Sequence, residues 1–362
     1  MECFFEFKTS ELDDPFDDTS RNGYERDSDK AASIRGQVAS YCAAILGSQF
    51  RVHVFAVLVC GKFARFMRWD RCVAVITQRF EYPTSAYLSQ FILGYDSMTR
   101  DQQGHDTTVV ALCTNSLNLD EDVVLKLTAN KHQILRVEVP DLNDSTVLHS
   151  YLISYPLEYT FTSPFGRATR GMEAYDESTK GYVYIKDYWR SAELHLEGDI
   201  YRVLKEKEIP HIAPFGYGND LPHRTISQIG EGGWVDTLSR FPCRQHYRMS
   251  LNKVLRRLTD FKSSHEFVSA IADAMDGMSS TLSLTSNASA YLSTAHDAAY
   301  FKAGILHCDV SVGNIMIGDD GEGFLIDWDL STDLSKVTLG TQQPGGTVRV
   351  SPPSIFYMLS MY

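Results

Sequence analysis

Two short apolar runs near the end of the sequence place the strongest constraint on the fold. The first run, 305–317, reads ILHCDVSVGNIMI, and the second, 324–330, reads FLIDWDL. Apolar β-forming residues with a polar group between them are typical of short paired strands. The pattern predicts that the side chains of Asp309, Asn314 and Asp327 lie together at one end of such strands.

The spacing of these three residues indicates a chemistry. Asn314 follows Asp309 by five positions, and Asp327 follows Asn314 by thirteen. Phosphoryl transfer from ATP requires one carboxylate at the nucleophile, and an amide oxygen and a second carboxylate that hold Mg²⁺ against the phosphates. The three residues fit those roles in that order. His307 is expected to brace the loop rather than to carry a proton.

Such a site also needs a strand lysine for the nucleotide phosphates and a helix glutamate that orients it. Lys186 ends the strand-like run GYVYIK and is the first candidate. Glu197 lies on the helix predicted to follow, and Glu193, one turn earlier, is the fallback partner. Lys126, in the strand-like run VVLKLT, is a competing lysine.

A segment upstream of Lys186 lies where a loop covering the phosphates is expected. Residues 163–171 read SPFGRATRG and contain Gly166 and Gly171, but they lack the pattern Gly-x-Gly-x-x-Gly. An ordinary turn explains the segment equally well. Gly166 is the cofactor-binding candidate in it.

The order of the remaining elements predicts an α+β fold. Residues 1–36 are rich in Asp, Ser and Arg and predict a flexible acidic leader. Residues 37–215 predict a strand-bearing extension and a strand-rich N-lobe, and residues 216–362 a helical C-lobe. The uncharged stretch 278–294 predicts a surface insertion. The predicted strands are 51–60, 62–68, 72–78, 109–112, 123–127 and 134–139, and the predicted helices are 85–95, 193–207 and 264–275.

Composition excludes several classes of function. The net charge of −12 argues against broad nucleic-acid binding, which requires a Lys/Arg surface. Seven scattered cysteines, with no Cys-x-x-Cys pair, predict a reducing compartment and no zinc site. The start of the chain lacks the pattern of a secretory signal, and its longest apolar run is too short to cross a bilayer. These features predict a cytoplasmic or nuclear protein without a membrane partner.

Taken together, these segments resemble the fungal-type protein kinase family. Residues 50–82 are similar to its N-terminal strands, 182–190 and 195–204 to its lysine strand and following helix, and the two apolar runs to its catalytic and metal-binding segments. The resemblance spans roughly residues 38–350. It implies a bilobal protein-kinase-like fold, Mg-ATP as phosphate donor, and phosphorylation of Ser or Thr in a protein substrate.

The resemblance also implies a role for each site residue. Asp309 would be the catalytic base, Asn314 and Asp327 the Mg²⁺ ligands, and Lys186 with Glu197 the pair that orients the ATP phosphates. Cys308 stands where such kinases usually have Arg, which argues against regulation by a phosphorylated loop clamped by that Arg.

The end of the sequence and the acceptor leave alternatives open. Only 35 residues follow Asp327, and 338–354 is dense in Gly, Pro and Thr, with a terminal helix expected at 355–362. This predicts a truncated C-lobe and a weak or inactive catalyst. A small-molecule phosphotransferase of the aminoglycoside or choline kinase type and a pseudokinase acting as an interaction module are the alternatives. The acceptor, oligomeric state and regulator are not indicated.

Overall fold

The computed structural model describes residues 2–19, 24–113, 119–128, 133–155, 163–225, 243–275, 295–336 and 356–359. The predicted insertion at 278–294 and the Gly/Pro-rich stretch 338–354 lie outside the described residues. Among the helices that are described, none is both long and apolar enough to cross a membrane.

The first structural unit is a six-stranded sheet with a helix on each face. Its strand order is β1-β2-β3-β4-β18, with β5 paired to β3, and β1 and β18 run parallel to their neighbours. The prediction of a terminal helix at 355–362 was wrong, because Phe356–Leu359 form the strand β18. The elements are β1 (Phe4–Lys8), α1 (Asp29–Ser48), β2 (Val54–Cys60), β3 (Phe63–Trp69), β4 (Ala74–Thr77), β5 (Phe80–Glu81), α2 (Tyr87–Ser97) and β18 (Phe356–Leu359).

The flexible leader predicted for residues 1–36 was also wrong. This part of the chain contains β1 and the first turns of α1, and its Phe4 and Phe16 are buried in the core of the first sheet. Its acidic residues are partly neutralised on folding. The Asp14 carboxylate accepts one bifurcated hydrogen bond from Arg65 Nε and a second bond from Nη2 at 2.7 Å, and both side chains are buried. Local composition carried no signal of this distant partner.

We expect Ser28→Ala to destabilise the protein, because the Ser28 hydroxyl accepts a hydrogen bond from the Ala31 N–H and caps α1. Loss of such a cap costs about 0.5–2 kcal/mol of unfolding free energy. Urea denaturation would measure the change. The matched control is Ser40→Ala in the same helix, where the hydroxyl only donates to the Gly36 carbonyl on an exposed surface. Equal stability of the two variants would contradict the capping role.

The second unit is a seven-stranded antiparallel sheet that carries Lys186. Its strand order is β11-β12-β10-β9-β8-β7-β6. The last two strands of this sheet along the chain, β11 and β12, come from the part beyond residue 215 for which a helical C-lobe is predicted. The elements are β6 (Val109–Ala111), α3 (Glu121–Leu127), β7 (Gln133–Pro140), β8 (Leu148–Tyr155), β9 (Arg170–Asp176), β10 (Gly181–Ser191), α4 (Glu197–Glu206), β11 (Phe215–Arg224) and β12 (Arg244–Leu251).

The strand predicted at 123–127 is the helix α3. Glu121 and Asp122 occupy its first turn and Lys126 its last, an arrangement that favours a helix through the backbone dipole. A short apolar run does not by itself distinguish a strand from a helix. Lys126 is therefore not a strand lysine: it pairs with Glu173 and lies over the Tyr182 ring, away from the cleft.

Short antiparallel strand pairs, called the hairpins below, complete the fold. β15 pairs with β16, and β14 with β17, both antiparallel. Beyond residue 216 the described part of the chain contains two α-helices, of which α5 has the predicted bounds and packs on β16. One hydrophobic core joins α4, β12 and the hairpins. The elements are β13 (Arg256–Arg257), α5 (Ser264–Met275), α6 (Ala295–Ala298), β14 (Ile305–Leu306), β15 (Ile315–Ile317), β16 (Gly323–Leu325) and β17 (Thr332–Asp333).

Candidate active site

Lys186 lies on β10, in the interior of the second sheet, and its ammonium is held by two carboxylates. Nζ is 2.6 Å from Glu197 Oε2 and 2.6 Å from Asp327 Oδ1. The residue is only 6% exposed, and an ammonium buried without partners would carry a large desolvation penalty. Burial acts to lower the pKa of Lys186, but the two carboxylates outweigh it and raise the pKa. The side chain is therefore charged at neutral pH.

Glu197 begins α4 and is fully buried. Besides Lys186, its carboxylate accepts hydrogen bonds from the Tyr188 hydroxyl at 3.0 Å and from the Trp328 N–H at 3.0 Å. The helix starts at Glu197 and not at residue 193. Glu193 therefore lies in the non-helical turn before α4, and not one helical turn before Glu197. Three donors on one carboxylate fix its position between the sheet and the hairpins.

The loop between β14 and β15 brings together the residues of the first apolar run. The Asn314 amide nitrogen donates to the Asp309 carbonyl at 2.7 Å and to its carboxylate at 3.3 Å. The buried His307 ring contacts the Ile326 carbonyl through Nε2 at 2.9 Å, and its Nδ1 accepts the Asp309 N–H at 3.3 Å. Burial lowers the pKa of His307, which favours the neutral ring. Through these contacts His307 joins the loop to the backbone at Ile326 and Asp309.

Asp327 follows β16 by two residues and has a left-handed backbone conformation, with φ of 67°. Such a backbone costs a non-glycine residue about 1–3 kcal/mol and often occurs at functional sites. Burial acts to raise the pKa of Asp327, but Lys186 and Arg167 lower it overall. Burial and the carboxyls of Asp327 and Glu197 raise the pKa of Asp329 to about 8. Asp327 is thus the carboxyl of the two that stays ionised at neutral pH.

A cavity of about 190 Å³ opens where these elements meet. Lys186, Glu197, Asn314 and Asp327 all line it, whereas Gly166 and Asp309 are not among its lining residues. Asp309 reaches the site through its contact with Asn314. The remaining lining residues are Thr169, Tyr184, Tyr201, Leu251, Gly313 and Ile326.

The donor set fits a hard divalent cation. Mg²⁺ prefers oxygen ligands, and Asp327 supplies a carboxylate. Because the Asn314 nitrogen is committed to Asp309, its amide oxygen is the atom that remains for a metal. Beside them, Asp329 Oδ1 is buried and has no hydrogen-bond partner among the described residues. A buried oxygen of this kind is expensive unless a ligand satisfies it.

Arg167 is the site residue that sequence reasoning missed. Its guanidinium donates to Asp327 Oδ1 at 3.4 Å and to Asp329 Oδ2. It lies in the segment 163–171, where attention to glycines singled out Gly166. The Gly166 N–H is instead bonded to the Arg71 carbonyl, on the side of the first sheet. Only the position of Arg167 next to a glycine in a loop could have drawn attention to it.

A second cluster of polar groups, also missed, lies on the other face of the second sheet. Arg248 donates to Asp106 Oδ2 at 2.7 Å and to Asp187 Oδ2 at 2.7 Å, and His246 Nε2 is 3.0 Å from Asp187. Ligand atoms of Asp106, His223 and His246 converge within 4.8 Å, as in a metal site. The fixed charge of the fully buried Arg248 opposes a cation there, so we interpret the cluster as structural.

Comparison with known proteins decides the family. Residues 22–231 and 292–350, more than half of the chain, match the family described as fungal protein kinase. The chain belongs to that family. No curated protein matches it. Among solved structures, the chain is similar to the "ROP18 kinase domain in complex with AMP-PNP and sucrose", with 14% identity and a TM-score of 0.31; the similarity covers 54% of this chain and 56% of that one.

Membership of the fungal protein kinase family confirms the resemblance drawn from the motifs, and the α+β fold class predicted with it. The match includes β2 to β5 of the first sheet and β6 to β11 of the second. The second sheet and α4 line one side of the cavity, and the hairpin segments that carry Asn314 and Asp327 line the other. The chain spans little more than half of the solved ROP18 chain.

Proposed function

We propose that this chain is a Ser/Thr-type protein kinase that transfers the γ-phosphate of Mg-ATP to a protein hydroxyl. One observation carries the proposal: Lys186, from the second sheet, contacts both Glu197 of α4 and Asp327 of the hairpins at 2.6 Å. Phosphoryl transfer depends on such a lysine–glutamate pair beside a metal-binding aspartate. Family membership supports the same chemistry.

Each residue then has a defined role. Lys186 binds the nucleotide phosphates and Glu197 orients it, while Asn314 and Asp327 would hold Mg²⁺. Bound Mg²⁺ would neutralise the charge on the transferring phosphate. Asp309 accepts the proton of the acceptor hydroxyl, and Asn314 keeps its carboxylate in place. Gly166 contributes to the site through the loop that carries its neighbours and not through its own N–H, which is bonded to Arg71.

The deciding experiment offers protein acceptors and small alcohols side by side to the purified chain with radiolabelled Mg-ATP. Transfer to Ser or Thr in protein supports the proposal. Transfer to aminoglycosides or choline alone would instead assign a small-molecule phosphotransferase. Nucleotide binding without transfer to any acceptor would indicate a pseudokinase, and the proposal would be wrong in both cases.

We expect Lys186→Met to weaken Mg-ATP binding by about tenfold or more, since hydrogen bonds to charged groups contribute about 1.5–3 kcal/mol. Isothermal titration calorimetry would measure the affinity. Lys126→Met is the matched control, because Lys126 lies on α3 with Glu173 as its partner. Thermal unfolding of both variants must show that Glu197, deprived of its cation, has not unfolded the protein. An equal loss in the control would reject the assignment.

A further inference from the structure

Arg167 contacts the acidic end of the cleft in a way that the proposed roles do not use. Its Nη2 lies 3.4 Å from Asp327 Oδ1 and also donates to Asp329 Oδ2. The Asp329 side chain is 7% exposed, and its other oxygen is the buried atom without a partner. The guanidinium therefore satisfies one oxygen of each carboxyl of the acidic pair.

The backbone around Arg167 is held in place and strained. Gly166 and Ala168, on either side, both have left-handed backbones, with φ of 107° and 47°. For Ala168 this conformation costs about 1–2 kcal/mol. The Arg167 carbonyl accepts the Trp189 N–H at 2.7 Å, which ties the loop to β10. A strained conformation that persists at a cleft suggests that the direction of this side chain matters.

The loop is also anchored on the first sheet. The Gly166 N–H donates to the Arg71 carbonyl at 2.9 Å, and the Phe165 ring stacks on Trp69 with centroids 5.6 Å apart. These contacts fix the base of the loop, whereas the Arg167 side chain is 30% exposed. The guanidinium can thus change partners while the backbone stays where it is.

The charges around Asp327 give a reason for such a change. Two cations, Lys186 and Arg167, already contact this carboxylate. A divalent metal arriving alone would be repelled by both and would compete with Arg167 for the same oxygen. Nucleotide phosphates bring negative charge with the metal. An arginine is well suited to them, because its planar guanidinium binds phosphate oxygens in a bidentate manner.

We propose that Arg167 exchanges partners during nucleotide binding: it leaves Asp327 and Asp329, with which it pairs in this structure, and binds the nucleotide phosphates when a metal takes its place at Asp327. This inference rests on the proposed function and adds a phosphate-binding residue to it. Metal binding and phosphate binding are thereby coupled through one side chain.

The test is Arg167→Met, studied by calorimetry at one fixed pH with Mn²⁺ alone, with ATP plus Mn²⁺, and with adenosine. We expect Mn²⁺ alone to bind about tenfold more tightly and ATP plus Mn²⁺ about tenfold more weakly, with adenosine unchanged. Opposite signs distinguish exchange from general damage, which lowers every affinity. The matched control is Arg136→Met, which removes the pair with Glu177 from β7 of the same sheet and should change none of them.

Each outcome bears on one of the two proposals. An unchanged or weaker affinity for Mn²⁺ alone overturns the exchange, and so does an unchanged affinity for ATP plus Mn²⁺. A wild-type protein that binds Mn²⁺ but neither ATP nor adenosine would reject the kinase assignment itself. If Arg167→Met fails to fold, Arg167→Gln, which keeps a polar group but loses the charge, must show the same two opposite changes.

Discussion

Asp309→Asn is expected to lower phosphate transfer by about 10²- to 10⁴-fold, the usual effect of removing a positioned general base. Nucleotide affinity should be nearly unchanged, because Asp309 is not among the residues that line the cavity. The substitution keeps an oxygen that can accept from Asn314 Nδ2, now 3.3 Å away, so the loop should retain its shape. The loss would then come from chemistry and not from a displaced loop.

Single-turnover transfer and calorimetric ATP affinity, measured on the same preparation, separate these effects. Asp319→Asn is the control, since that exposed aspartate lies in the turn between β15 and β16 of the same hairpin. Turnover of Asp309→Asn within twofold of the wild type would show that another group accepts the proton.

Asp327→Ala should abolish the dependence of ATP binding on Mg²⁺. Its carboxylate is the ionised one of the acidic pair, and Lys186 and Arg167 lower its pKa. Lys186 keeps Glu197 as a partner at 2.6 Å, so a folded protein that still binds the nucleotide weakly is expected. Without Asp327, Asn314 is the remaining proposed ligand, and one amide oxygen is a poor site for a hard cation.

Titration of ATP into both proteins, in Mg²⁺ and again in a chelator, would measure this dependence. The wild type should bind more tightly with the metal, and the variant should give the same affinity in both buffers. A variant that still responds fully to Mg²⁺ would place the metal on other residues.

The sequence predicted which residues of the candidate site lie close together better than it predicted the elements around them. Asp309, Asn314 and Asp327 could be related because all lie within one short stretch of hairpins, where spacing along the chain determines spacing in space. Lys186 could be placed because an apolar run ended at it. Family membership followed from the same segments.

Arg167, Asp329 and Arg248 could not be found in that way. Each acquires its partners only in the folded chain, and the contact between Arg167 and Asp329 joins residues 162 positions apart. Similarly, a flexible leader was predicted because Arg65, the buried partner of the Asp14 carboxylate, lies 51 positions downstream. Composition and periodicity describe local preference, and they carry no information about pairs of this kind.

The adjacent residues Lys186 and Asp187 serve the two opposite faces of β10, because successive side chains of a strand alternate. Lys186 faces Glu197 and Asp327, whereas Asp187 faces Arg248 and His246. A shift of this strand by one position in one direction would bring Asp187 against two carboxylates, and a shift in the other direction would bring Lys186 against a buried guanidinium. Like charges would meet in either case. The ion pairs therefore favour one register of β10. One inserted or deleted residue in β10 should prevent the sheet from assembling.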